Sequence, residues 1–156
     1  MTWQGTLLHI FIAEQASAPM EELQEAKVVA GKGIERDRYA RGTGHFSSSP
    51  HAHRQITLIE VETLEALERD HSIQLRPAES RRNLVTRDVP LNHLVGRRFR
   101  VGEVILSGGR LSRPCKYIEG LLGKAVFTPL LNRAGLNCEV VRGGVVRPND
   151  RILPEN

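Results

Sequence analysis

Cysteine is scarce in this 156-residue chain. There are two, Cys115 and Cys138, with no pairing signature. No stretch resembles an export signal, so the thiols point to a reducing cytoplasm, not a disulfide framework. Aromatic residues make up only 4% of the chain, too few for a platform that stacks bases. Long apolar runs are missing as well. The longest near the start, Leu7 to Ala13, is broken by His9 and stops at Glu14, so no membrane span is expected. Linkers, internal repeats and low-complexity tracts are lacking. So are the Gly-x-x-x-x-Gly-Lys-Ser/Thr phosphate loop and the dinucleotide fingerprint, which leaves Gly31-Lys32-Gly33 as a turn that needs positive φ.

What remains is a chain of one-domain length, taken here as a single domain over residues 1–156. Its 40% hydrophobic residues are enough for a core without staples. The net charge is +4, and arginines gather in clusters: Arg36/Arg38/Arg41, Arg81/Arg82/Arg87 and Arg97/Arg98/Arg100. A small anionic ligand fits this pattern better than nucleic acid.

Short strands dominate. Thr6–Ile12, Glu25–Ala30, Gln55–Ile59, Asn83–Thr86, Arg98–Val101, Glu103–Ser107 and Leu136–Val141 read as strands, with Gly108-Gly109 as a break and Gly143-Gly144 as a hairpin signal. Glu60 to Asp70 is the one strong helix, with Val61, Leu64 and Leu67 on one face. Residues 40–54, rich in Gly, Ser and His, read as a long surface loop. The expected fold class is mainly β (α+β): a curved, barrel-like, mostly antiparallel sheet with a few short helices.

Chemistry concentrates at Arg113-Pro114-Cys115-Lys116. A proline before the thiol and a helix-compatible run after it, Lys116 to Leu122, place Cys115 at a helix N-terminus. The helix dipole, Arg113 and Lys116 all favour the thiolate, which serves as a nucleophile, a sulfur carrier or a ligand for a thiophilic metal. The alternative is a small buried apolar cysteine. Arg81, Arg82 and Asn83 could present guanidinium forks and an amide to a phosphate, or form a solvated patch. Asp37-Arg38 reads as an exposed ion pair of little energetic weight. His45, His51 and His53 lack the spacing of a zinc site. Cys138 looks like a small strand residue.

In order, the chain carries Gly33-Ile34-Glu35-Arg36-Asp37-Arg38, Arg54-Gln55-Ile56-Thr57-Leu58-Ile59 and Arg81-Arg82-Asn83-Leu84-Val85-Thr86. It continues with Gly96-Arg97-Arg98-Phe99-Arg100-Val101-Gly102-Glu103-Val104, Pro114-Cys115, and Arg133-Ala134-Gly135-Leu136 through to Val146. Six pieces in this order resemble a MOSC domain, the module named for the molybdenum cofactor sulfurase C-terminus, in its short stand-alone form. The resemblance implies a barrel-like fold and binding of the molybdenum cofactor (molybdopterin), with Cys115 as molybdenum ligand or sulfur carrier. Arg81 and Asn83 match an Arg-x-Asn cofactor contact of the amidoxime-reducing relatives, and Arg82, Arg113 and Lys116 are taken with them as cofactor-binding.

Reduction of N-hydroxylated compounds is the implied activity, and a non-catalytic sulfur or cofactor carrier that delivers to a partner enzyme is the alternative. Pyridoxal phosphate is not expected, nor are nucleic-acid or membrane partners. Without iron–sulfur cysteines or a flavin motif, a redox role needs a separate electron-donor or acceptor protein. The oligomeric state is left open. One departure stands out: Arg36 replaces the glycine of the family's Gly-Asp-Arg, so a positive φ there would have to be borne by an arginine.

Overall fold

The computed structural model describes residues 1–48 and 52–155. Seven strands close into a mixed barrel: β1 (Gly5–Ile12), β5 (Ile56–Glu60), β6 (Leu84–Arg87), β7 (Arg98–Val101), β8 (Val104–Leu111), β9 (Leu136–Arg142) and β11 (Arg151–Pro154). Around the barrel the order is β11-β7-β8-β9-β5-β6-β1, closed by Gly5 and Thr6 of β1 pairing with Ile152 and Arg151. Closure removes exposed strand edges. The short β2 (Glu21–Leu23) extends the far end of β1. A second small sheet stacks β10 (Gly144–Val146), β3 (Ala26–Val29) and β4 (Gly33–Ile34).

The expected mainly β, barrel-like architecture is therefore present. Every strand pair is antiparallel except β5–β6. That pair is parallel because its connection is helical: α2 (Val61–His71) leaves β5 and returns the chain to β6 in the same direction. Leu64 and Leu67 of α2 are buried against Phe11, Ile59 and Val85 on the outside of the barrel. Burying each leucine is worth about 1.5–3 kcal/mol. Leu7, Ile10, Leu58, Phe99, Leu106 and Cys138 fill the inside. Cys138 has no exposure, and burial pushes its thiol pKa well up.

Four local expectations change. Gly108-Gly109 does not break a strand, since β8 runs through to Leu111 with a bulge between Gly108 and Arg110. Both glycines admit neighbours instead: a Cβ on Gly108 would lie 2.0 Å from the Leu94 carbonyl oxygen, and one on Gly109 would lie 1.9 Å from the His53 ring. Gly143-Gly144 makes no hairpin, because β10 leaves β9 and pairs with β3. The stretch after Ser17 gains β2. Within residues 40–54, α1 (Arg38–Arg41) starts before the loop and a 3₁₀ turn, Ala52–Arg54, ends it. No helix among the described residues is long and apolar enough to cross a membrane.

Candidate functional site

Two adjoining cavities open where β8 hands over to α3 (Lys116–Leu122). Their volumes are about 430 Å³ and about 40 Å³, and they share Tyr39, Phe46, Arg82, Arg113 and Cys115. The larger falls in the ordinary range for small-molecule sites, about 300–1,000 Å³. Across both, the walls carry Arg38, Arg54, Arg81, Arg82, Arg110 and Arg113 and, among the described residues, no carboxylate.

Cys115 is the N-cap of α3, as the proline and the helical run foretold, although Pro114 lies one residue outside the helix and not in its first turn. The backbone there is extended, with φ −141° and ψ 159°, and the side chain makes no capping hydrogen bond. The thiol is thus uncommitted, half-buried and on the wall of both cavities.

Arg81 and Arg82 are not a solvated patch. Arg81 follows a 3₁₀ turn, Pro77–Ser80, in left-handed backbone with φ 60°. The residue is 7% exposed: Nη1 donates to the Ala18 carbonyl at 2.8 Å, while Nη2 is buried with no hydrogen-bond partner among the described residues. Burial, then the nearby charge of Arg38, holds its pKa below the usual arginine value. Arg82 Nε donates to the Ala134 carbonyl at 2.9 Å. Solvent touches part of this side chain, yet its guanidinium lies deep enough that burial lowers its pKa to about 10. Both remain cationic at neutral pH, and each carries a desolvation cost without a direct ion pair among the described residues, although the Asp37 carboxylate offsets part of it at Arg81.

The fixing of Arg81 begins elsewhere. Asp37 and Arg38 are buried, at 0% and 5% exposure, which corrects the expectation of an exposed pair. Arg38 Nη1 meets Asp37 Oδ1 at 3.0 Å, and Arg38 Nη2 donates to the Arg81 carbonyl at 3.0 Å. Asp37 also caps α1, accepting from the Tyr39 N–H at 3.2 Å, and accepts from the Ala13 N–H at 3.2 Å. Arg36, in the position of the family's glycine, does adopt positive φ, 75°, and its guanidinium pairs with Glu21 at 3.0 Å.

Asn83 and Lys116 are not among the cavity-lining residues. Asn83 is fully buried; its Oδ1 accepts from the N–H and the hydroxyl of Thr57, and its Nδ2 donates to the Phe11 carbonyl. It ties β6 to β5 and β1 and holds Thr57, which does line the larger cavity. Lys116 points to solvent, 78% exposed, with Nζ 2.9 Å from Glu119 Oε1 and 5.0 Å from the Phe127 ring centroid. Arg113 lies at the mouth, exposed.

Tyr39, Phe46, Thr57, Arg110, Ser112 and Asn137 also line the larger cavity, and none was singled out from sequence. Phe46 had a readable signal: it is the lone large apolar side chain in a Gly, Ser and His stretch. Ser112 and Asn137 had none, since what joins them is the pairing of β8 with β9. His45 stacks on Tyr117, with ring centroids 3.9 Å apart, and His53 packs against Gly109. His51 lies outside the described residues. Among the described residues no group of three or more His, Cys, Asp or Glu could hold a metal ion.

The molecule is a small closed mixed β-barrel with a free thiol on the wall of an arginine-lined cavity. The chain belongs to the MOSC domain family, whose profile matches residues 41–153. The family is associated with molybdenum-cofactor binding and sulfur transfer. The fold is similar to that of the YuaD protein from Bacillus subtilis, with a TM-score of 0.78 at 19% identity over 96% of each chain. It is also similar to YiiM from Geobacillus stearothermophilus, with a TM-score of 0.72 at 11% identity over 97% of this chain and 75% of that one. YiiM from Escherichia coli gives a TM-score of 0.71 at 15% identity over 100% of this chain and 70% of that one. At these identities the likeness concerns the fold alone. No curated protein sequence matches the chain.

The cavity residues fit the family's cofactor. Arg81, Arg82 and Arg113 bring to the lining guanidiniums of the kind that binds phosphate, and a cysteine thiolate is a soft ligand of the kind molybdenum accepts.

Proposed function

We propose that this protein binds the molybdenum cofactor in the Cys115 cavity. Arg81, Arg82 and Arg113 hold the cofactor's phosphate, Cys115 serves as molybdenum ligand or sulfur carrier, and Asn83 acts indirectly by fixing Thr57. Lys116 contributes no more than a nearby positive charge. When bound, the cofactor supplies a redox-active metal that the protein side chains cannot replace. The observation that carries this reading is the half-buried Cys115 thiol on the wall of adjoining cavities whose linings include Arg81, Arg82 and Arg113 and, among the described residues, no carboxylate.

The chain's own part is to bind, orient and exclude. The buried guanidiniums are already desolvated, so an incoming phosphate gains charge-assisted hydrogen bonds at little further cost. Tyr39 and Phe46 line both cavities beside the thiol. As an enzyme, the protein would reduce N-hydroxylated compounds with electrons from a separate donor protein. As a carrier, it would hold sulfur on Cys115 and pass it to a partner.

Protein purified from a host that makes the cofactor should contain close to one molybdenum per chain, and Cys115→Ala should lose it. Molybdenum content unchanged by that substitution removes the ligand role. A persulfide on Cys115 by mass spectrometry, with no turnover of any N-hydroxylated compound, selects the carrier.

A further inference from the structure

Arginines divide into two populations on this surface. Eight of them, among the described residues, stand within 4.0 Å of a carboxylate: Arg36, Arg38, Arg41, Arg69, Arg76, Arg87, Arg133 and Arg147. Five exposed ones have no ion pair or side-chain hydrogen bond among the described residues: Arg97, Arg98, Arg100, Arg110 and Arg113. They fall just before and on β7, near the end of β8, and just beyond it. Arg98 and Arg100 alternate on β7 with the buried Phe99 and Val101, so both project outward, about 7 Å apart. Arg98 lies opposite Ser107 of β8. The preceding segment runs beside the same strand, with Val95 bridged to Gly108 and the Gly108 N–H donating to the Arg97 carbonyl at 2.9 Å. Two residues on is Arg110, which lines the larger cavity, and then Arg113 at the mouth.

Amid this strip Val95 is 44% exposed. Glu139, opposite Ser107, and Glu155, whose N–H meets the Arg98 carbonyl, border the strip without pairing to it. Five exposed arginines without a carboxylate partner among the described residues give the strip a positive potential that an anionic surface complements.

We propose that this strip docks the acidic face of a second protein, seated beside the cavity mouth with Val95 at the centre of contact. A protein suits the strip better than a nucleic acid does. Among the described residues few aromatic rings border it for a base to stack on: Trp3 sits with Glu60, Glu62 and Asp88, Tyr39 and Tyr117 line the cavities, and Phe46 shares the larger cavity's lining with Arg110 and Arg113 alone of the five arginines. Arginine is among the residues enriched at protein–protein contacts, and the exposed Val95 adds apolar area to the strip. A partner seated there places its own groups next to Cys115 without entering the cavity. The docking surface meets the cavity only at Arg110 and Arg113, and shares just Arg113 with the cofactor assignment; Val95, Arg97, Arg98 and Arg100 line neither cavity.

The probe is a Glu- and Asp-rich peptide carrying a few leucines, titrated into the full-length ¹⁵N-labelled chain at low salt. Shift changes should cluster between residues 95 and 113. Arg98→Glu with Arg100→Glu should weaken binding roughly tenfold or more, since like charges then face each other. A control with the same charge change at ion-paired sites, Arg69→Glu with Arg147→Glu, should shift affinity by about twofold or less through screening. Equal weakening by both pairs would mean that only net charge is read, and would overturn the proposal. So would shifts centred elsewhere, or a single-stranded oligonucleotide of equal charge binding the strip more tightly than the peptide. Molybdenum content is not a readout here, so this test and that of the cofactor can fail independently.

Discussion

Replacing Asp37 with alanine should cost the fold more than any other single change near the cavity. The carboxylate has no exposure and serves three donors: the Arg38 guanidinium at 3.0 Å and the N–H groups of Ala13 and Tyr39, each at 3.2 Å. Losing the cap on α1 costs about 1 kcal/mol. Orphaning the Ala13 N–H, in a residue only 2% exposed, costs about 1–3 kcal/mol. Stranding Arg38, whose side chain is 6% exposed, leaves a buried charge unpaired, worth about 3–5 kcal/mol. These losses overlap, so about 4 kcal/mol is the expected total, a large share of the 5–15 kcal/mol a domain holds.

Asp37→Asn keeps an acceptor for the cap and should cost roughly half as much. Urea unfolding followed by circular dichroism gives the numbers. The decisive comparison is a double-mutant cycle with Arg38→Met. If the buried pair is what matters, Asp37→Ala adds much less damage in the Met background, with a coupling of at least about 1 kcal/mol. A loss for Asp37→Ala below about 1 kcal/mol, or simple additivity with Arg38→Met, would refute the reasoning. The same pair holds the Arg81 carbonyl, so the change should also loosen the cavity wall.

The two cysteines should separate cleanly under alkylation. Iodoacetamide should label Cys115 in the native protein and reach Cys138 only after unfolding, as read by mass spectrometry; native labelling of Cys138 would contradict its place inside the barrel. Because burial raises the Cys138 pKa in the fold, only the unfolded chain ionises this thiol above the free value near roughly 8.5. Its contribution to stability is therefore full below that pH and falls as pH rises beyond it, and Cys138→Ala should flatten that part of the pH profile. At Arg36, relief of the positive φ by glycine is worth about 1–2 kcal/mol. Glycine's greater chain entropy and loss of the half-exposed Glu21 pair take back a similar amount. Arg36→Gly should thus move the unfolding midpoint little, whereas Arg36→Val, β-branched at φ 75°, should lower it clearly.

Local pattern was enough for much of the fold. The alternation in β1 and β9, the β-branched run of β5 and the apolar face of α2 each depend on residues within one element, and each was placed to within a residue or two. Cys115 at a helix start follows in the same way from its neighbours. Glycines were harder. Their spacing marks freedom, but whether it serves a turn, as at Gly31, or lets another chain segment approach, as at Gly108, is settled by what lies opposite.

The site shows the same division. Neighbouring residues suffice for the elements, the scarcity of thiols and the surplus of arginine. Tertiary structure alone decided that Asp37 and Arg38 are buried, that Arg81 faces inward with an unpartnered nitrogen, and that Asn83 supports the wall instead of lining it. Burial and partnership depend on strands brought together across the barrel, from Ala13 to Arg38 to Arg81 to Cys115. No window of neighbouring residues contains that closure.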